Sequence, residues 1–72
     1  MRNPFIKLTD TNGKTIRVNI RHIMSYDLRK FDRPSTRTYT YILLAGGNAL
    51  NRSVEETPEV LDQMIAEYYD YE

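Results

Sequence analysis

The sequence predicts an α+β fold: a small five-stranded antiparallel, barrel-like sheet followed by one C-terminal amphipathic helix. Three observations lead there. Apolar side chains alternate at period two through most of the stretch from Phe5 to Val54, the spacing that puts them on one face of a strand. Thr11-Asn12-Gly13 and Ala45-Gly46-Gly47-Asn48 break that alternation with turn-forming residues. After Thr57-Pro58 the period changes to that of a helix.

The elements come in order. Residues 5–9 form a strand with Ile6 and Leu8 on one face, and Asn12-Gly13 tolerates the positive φ of a tight turn. Residues 14–20 return with Ile16, Val18 and Ile20 in phase, completing a hairpin. A third strand, 23–28, continues through Met24, Tyr26 and Leu28 at period two. Residues 29–37 carry four bases, one acid and a proline, and read as a basic loop. Residues 38–44, rich in β-branched and aromatic side chains, form the fourth strand, and 50–54 the fifth. Thr57 is placed to cap a helix over 58–70, with Pro58 in its first position and Glu59 in its first turn. Leu61, Met64, Ile65 and Tyr68 recur at i, i+3, i+4 and i+7 and make one apolar stripe. With Tyr69 and Tyr71 they form the face expected to dock, on the chain's own sheet or on a second subunit.

Seventy-two residues make one domain, 1–72, and a chain of this size buries only about 60% of its unfolded surface. Its core is marginal, and burial between subunits would strengthen it. There is no cysteine to form a disulfide or ligate zinc through sulfur, so a reducing, cytoplasmic setting is expected. The start has no apolar run of signal-peptide length, and no stretch is long enough to span a bilayer, so no membrane is expected.

Charge is sorted along the chain. Residues 1–54 hold all ten bases and three acids, Asp10, Asp27 and Asp32, while 55–72 hold seven acids and no base. A body of +7 beside a tail of −7 favours contact with an anion, and the chain's own tail is the nearest one. Asp70 and Glu72 oppose the helix dipole at its C-terminal end unless a basic surface meets them.

Few residues suggest catalysis. The lone histidine, His22, has no motif setting it beside Ser25, Ser35 or Ser53, and the acids of the tail have no partner pattern for acid–base work. One imidazole, no thiol and no calcium-loop spacing argue against a metal site. Gly46-Gly47 lacks the rest of a phosphate loop. No cofactor is expected.

Binding is better served. If Thr40, Ile42 and Leu44 face the core, Tyr39, Tyr41 and Leu43 face outward and form an aromatic patch that needs a cover. Phe31, Tyr39, Tyr41 and Leu43 are the expected apolar contacts, with Arg29, Lys30, Arg33 and Arg37 supplying charge and orientation.

Leu8-Thr9, Asn12-Gly13, Val18-Asn19 and Ile23, then Ile42, Leu44, Gly47, Val54, Glu56 and the terminal helix, fall at spacings that resemble the small FlbD-like flagellar proteins over roughly residues 5–68. The resemblance implies a compact β-rich domain acting through protein contacts or gene-regulatory binding, without an enzyme active site. The chain departs from that pattern in its basic segment 29–37 and its acidic, tyrosine-rich end, and a phage or mobile-element accessory or inhibitory protein suits its size equally. The expected function is a non-enzymatic binding and assembly module, homo-oligomeric and working through a protein partner. The alternative is capture of RNA, single-stranded DNA or a small nucleotide by the same bases and tyrosines.

Overall fold

The computed structural model describes residues 3–32 and 36–70. Among the described residues there are five strands and one α-helix: β1 (Phe5–Thr9), β2 (Thr15–Asn19), β3 (Ile23–Lys30), β4 (Thr38–Leu44), β5 (Arg52–Val54) and α1 (Pro58–Asp70). Single 3-10 turns at Ile20–His22 and Asn48–Leu50 enter β3 and β5. The fold is α+β as expected, but the strands form two sheets and not one closed barrel. One sheet is the hairpin β1-β2, the other has the order β3-β4-β5, and all pairing is antiparallel.

The split has a local cause. A barrel needs a continuous ladder around its circumference, and here β5 pairs only through Thr40↔Val54, Tyr41↔Ser53 and Ile42↔Arg52. Beyond it, the step to β1 is a single bridge, Asp10↔Val54, extended by the Glu55 N–H donating to the Thr9 carbonyl at 2.8 Å. β5 is also shorter than the expected 50–54, because Leu50 ends a 3-10 turn. β2 is trimmed at both ends relative to 14–20, and β3 runs two residues further than expected, which takes Arg29 and Lys30 out of the basic loop and into a strand.

The first turn is set by Asp10, whose Oδ1 accepts the N–H groups of Asn12 and Lys14 at 2.8 and 2.9 Å. Gly13 comes next with φ of 85°, a conformation open to glycine at little cost. At the second turn Gly46 has φ of 114°, and a Cβ there would stand 2.5 Å from Leu50 Cδ1. Asn51 then extends the β4-β5 ladder with its side chain, accepting the Leu44 N–H at 2.9 Å and donating to the Tyr41 hydroxyl at 3.1 Å.

The core lies where the two sheets and the helix meet. Leu8, Val18, Ile42, Val54 and Leu61 are buried together, and Ile6, Ile16, Ile23, Tyr26, Leu44 and Met64 pack against them. The strand phases therefore match the alternation through β1, β2 and β4. β3 departs from it: a bulge between Ile23 and Ser25 turns Met24 out to 72% exposure, and Leu28, in phase with Tyr26, lies beyond the core at 53%. A bulge adds one residue to one strand and shifts the phase of every later residue in it, which the sequence pattern of this segment does not reveal.

The helix starts where the cap signal placed it. Thr57 Oγ1 receives the Val60 N–H at 3.4 Å, and the Thr57 carbonyl accepts from Leu61 at 3.1 Å. Leu61 and Tyr68 are its buried residues. Burying a leucine and a tyrosine contributes roughly 1.5–3 kcal/mol each, enough to hold a helix of this length that would be marginal alone.

Candidate functional site

Antiparallel register builds the site. Arg29 lies opposite Tyr39, Asp27 opposite Tyr41 and Ser25 opposite Leu43, and the Phe31 N–H donates to the Arg37 carbonyl at 3.1 Å, continuing the ladder toward the tip. Since Thr40 and Ile42 are fully buried on the inner face, these residues share the outer one. The ring of Phe31 sits 4.8 Å from that of Tyr39, the Arg37 guanidinium 5.1 Å from the Phe31 ring centre, and the Arg29 guanidinium 4.4 Å from that of Tyr41. Arg29 reaches diagonally across the strands to do so, a separation that long side chains span. It also pairs with Asp27 on its own strand at 3.5 Å.

Phe31, Tyr39, Tyr41 and Leu43 are each half-buried and Arg37 is exposed. Six of the eight expected contact residues are thus brought to one face. Lys30 is not: its register partner Thr38 puts it on the opposite face, where it is exposed. Arg33 lies outside the described residues.

No third strand backs this surface toward its tip. β5 stops at Thr40, so Leu28 to Lys30 and Thr38 to Tyr39 continue as a two-stranded ribbon. The molecule is accordingly long for its mass, with extents of 45 × 24 × 20 Å.

The helix residues expected to dock divide between two roles. Leu61 and Tyr68 are buried within the chain and Met64 packs on the same core, Ile65 is half-buried, and Tyr69 is 47% exposed with its ring 5.0 Å from that of Tyr68. Tyr71 lies outside the described residues. A shallow groove of about 460 Å³ runs between β1 and α1, lined mainly by Phe5, Ile6, Ile20, Met64 and Tyr68, with Lys7 and Glu67 adding opposite charges.

Several acids of the last third serve neutral donors of the fold. Both carboxylate oxygens of Glu56 accept the Thr9 N–H, at 2.9 and 3.0 Å, while its carbonyl accepts the hydroxyl of fully buried Thr40 at 2.6 Å. Glu67 takes the Gln63 amide at 3.2 Å. Asp62 accepts the Tyr26 hydroxyl; desolvation of the phenol, and then the adjoining carboxylate as hydrogen-bond acceptor and as charge, push the tyrosine pKa up to about 12. The sequence shows no pattern that pairs the acids of the tail with a partner, yet Glu56 is the joint between the two sheets. Its position two residues after the last core valine was the available signal.

His22 is exposed at the end of its 3-10 turn. Among the described residues no three of His, Cys, Asp and Glu converge as metal ligands, and no helix is long and apolar enough to cross a membrane. Compared with known proteins, the chain matches no family model, no curated protein and no solved structure.

Proposed function

We propose that this chain is a non-enzymatic binding and assembly module that recognises a protein partner through the outer face of β3 and β4 and associates with copies of itself. The observation that carries the reading is the run of Arg37, Phe31, Tyr39, Tyr41 and Arg29 along one ribbon, each guanidinium lying over a ring. Stacked arginines and tyrosines are rigid before binding, so little side-chain entropy is lost when a partner covers them, and these residue types concentrate energy at interfaces. A cationic and aromatic face suits a partner segment with acidic and apolar side chains. The residue spacings over roughly 5–68 that resemble FlbD-like proteins are in keeping with the same non-enzymatic reading, and a chain without cysteine suits a reducing compartment.

The second reading, capture of single-stranded RNA or DNA, has one observation in its favour: arginines beside aromatic rings on an open sheet are the parts from which base-stacking platforms are made. Against it, Asp27 shares the face and already pairs with Arg29.

One experiment separates the two. A displayed random-peptide library is selected on the wild-type protein and on Tyr41→Ser, while a labelled single-stranded 20-mer is titrated at low and moderate salt. Protein recognition is supported by acidic-apolar peptides that bind wild type at moderate salt and lose roughly tenfold or more on Tyr41→Ser. No face-dependent peptide, together with oligonucleotide binding that falls steeply with salt, rejects it in favour of nucleic acid.

A further inference from the structure

The charge sorting of the chain coincides with an open strand edge in β3. We infer that two copies of this chain pair antiparallel through their β3 edges about a two-fold axis at Leu28, joining two three-stranded sheets into one of six strands. This deepens the assembly half of the proposed function and rests on it.

β3 is the terminal strand of its sheet and, at eight residues, the longest strand in the molecule. A long strand edge with unpaired backbone groups is a template for another strand unless it is blocked, and Ile23–Lys30 contains no proline. The Phe31 N–H points to Arg37, the residue before β4. By antiparallel alternation Arg29 and Asp27 also bond toward β4, and the N–H and C=O of Tyr26, Leu28 and Lys30 point to the open side.

Those open groups and the side chains agree on one register. With the axis at Leu28, the Leu28 backbone pairs with Leu28 of the second copy, and Tyr26 pairs with Lys30 of the second copy. On the outer face Asp27 meets Arg29 of the second copy, and Arg29 meets its Asp27. Moving the axis to Asp27 or to Arg29 instead sets like charges opposite, which is destabilising.

Two further features fit this arrangement. Leu28, 53% exposed beyond the core, is covered by its own symmetry mate. Lys30, the one expected contact residue among the described residues that is absent from the outer face, comes opposite Tyr26, whose hydroxyl is bonded to Asp62 of the helix. A base of one copy's ribbon thus approaches the acidic helix of the other, so the opposite charges of the two chain segments meet between subunits. A two-fold axis normal to the sheet keeps both helices on one side, and the arginine-aromatic faces become continuous on the other.

The test uses the full chain, which has no native cysteine. Sedimentation velocity should give a wild-type dimer at micromolar concentration. Under oxidation Leu28→Cys should cross-link to a dimer, because paired strand positions lie within disulfide reach, and Met24→Cys should not, although Met24 is the more exposed side chain. Asp27→Arg and Arg29→Asp alone should each weaken dimerisation roughly tenfold, and the two together should restore it. Circular dichroism on every variant checks that the fold is kept. A wild-type monomer at all concentrations overturns both the inference and the assembly reading. A wild-type dimer in which Met24→Cys cross-links as well as Leu28→Cys overturns the inference alone.

Discussion

The molecule contains two hairpins built from the same antiparallel ladder, and they do different work. The β1-β2 hairpin is five residues deep on each side, closes on a tight Asp-capped turn, and contributes Leu8 and Val18 to the core with Ile6 and Ile16 packed beside them. The β3-β4 hairpin starts the same way, with Ile42 and Thr40 fully buried, but its strands outrun β5 and carry exposed or half-exposed groups on both faces toward the tip. Hydrogen-bonded pairing alone does not make a strand structural. What decides is whether a third layer covers it, and among the described residues the ribbon beyond Thr40 has none, so its side chains stay outside the core.

Substitutions that separate the hairpins test that contrast, beginning with the largest effect. Leu8→Ala removes a side chain that is 1% exposed and should cost about 2–5 kcal/mol, a large part of what a domain of this size has; urea denaturation should show the midpoint collapsing. Next is the joint between sheets. Glu56→Ala leaves the half-buried Thr9 N–H without its acceptor and should cost about 2 kcal/mol, read in the same denaturation. An effect under about 0.5 kcal/mol would mean that the backbone ties at Thr9 and Asp10 and apolar packing hold the β1-β2 hairpin without the carboxylate.

Tyr26 marks the border between covered and uncovered ribbon, and its raised pKa gives a pH-dependent signature. The folded protein holds the phenolic proton up to about pH 12, whereas the unfolded chain releases it near about 10. Between those values the native state binds more protons, so this contribution is complete below about pH 10 and is lost as pH rises toward 12. Tyr26→Phe should flatten that alkaline decline in thermal unfolding temperature while leaving the neutral-pH curve nearly parallel to wild type. The smallest effect is expected at the tip. Phe31→Ala removes the ring 4.8 Å from Tyr39, and its stability cost should stay near about 0.5 kcal/mol, although peptide recognition should fall with it. A core-sized loss there would erase the distinction between the hairpins.

Much of this architecture is written locally. Asn12-Gly13 and Gly46-Gly47 mark their turns because only particular residues accept positive φ, Thr57-Pro58 starts the helix at its observed residue, and period-two alternation correctly orients β1, β2 and β4. Alternation also grouped Tyr39, Tyr41 and Leu43 on one face of β4, but which face is outward was decided by the burial of Thr40 and Ile42. For Arg29, charge and a nearby proline resemble loop composition, yet strand pairing with Tyr39 outweighs that preference.

Sequence by itself therefore determined the kinds of element, their order, their turns and the composition of the exposed face, because each depends on a few neighbouring residues. Only the tertiary structure decided that the strands form two sheets, that β3 carries a bulge, that Glu56 ties Thr9 to the helix entry, and that Lys30 departs from the other bases. Those outcomes depend on which distant backbone groups find partners. Many pairings satisfy the same local pattern, and burial of one shared core selects among them.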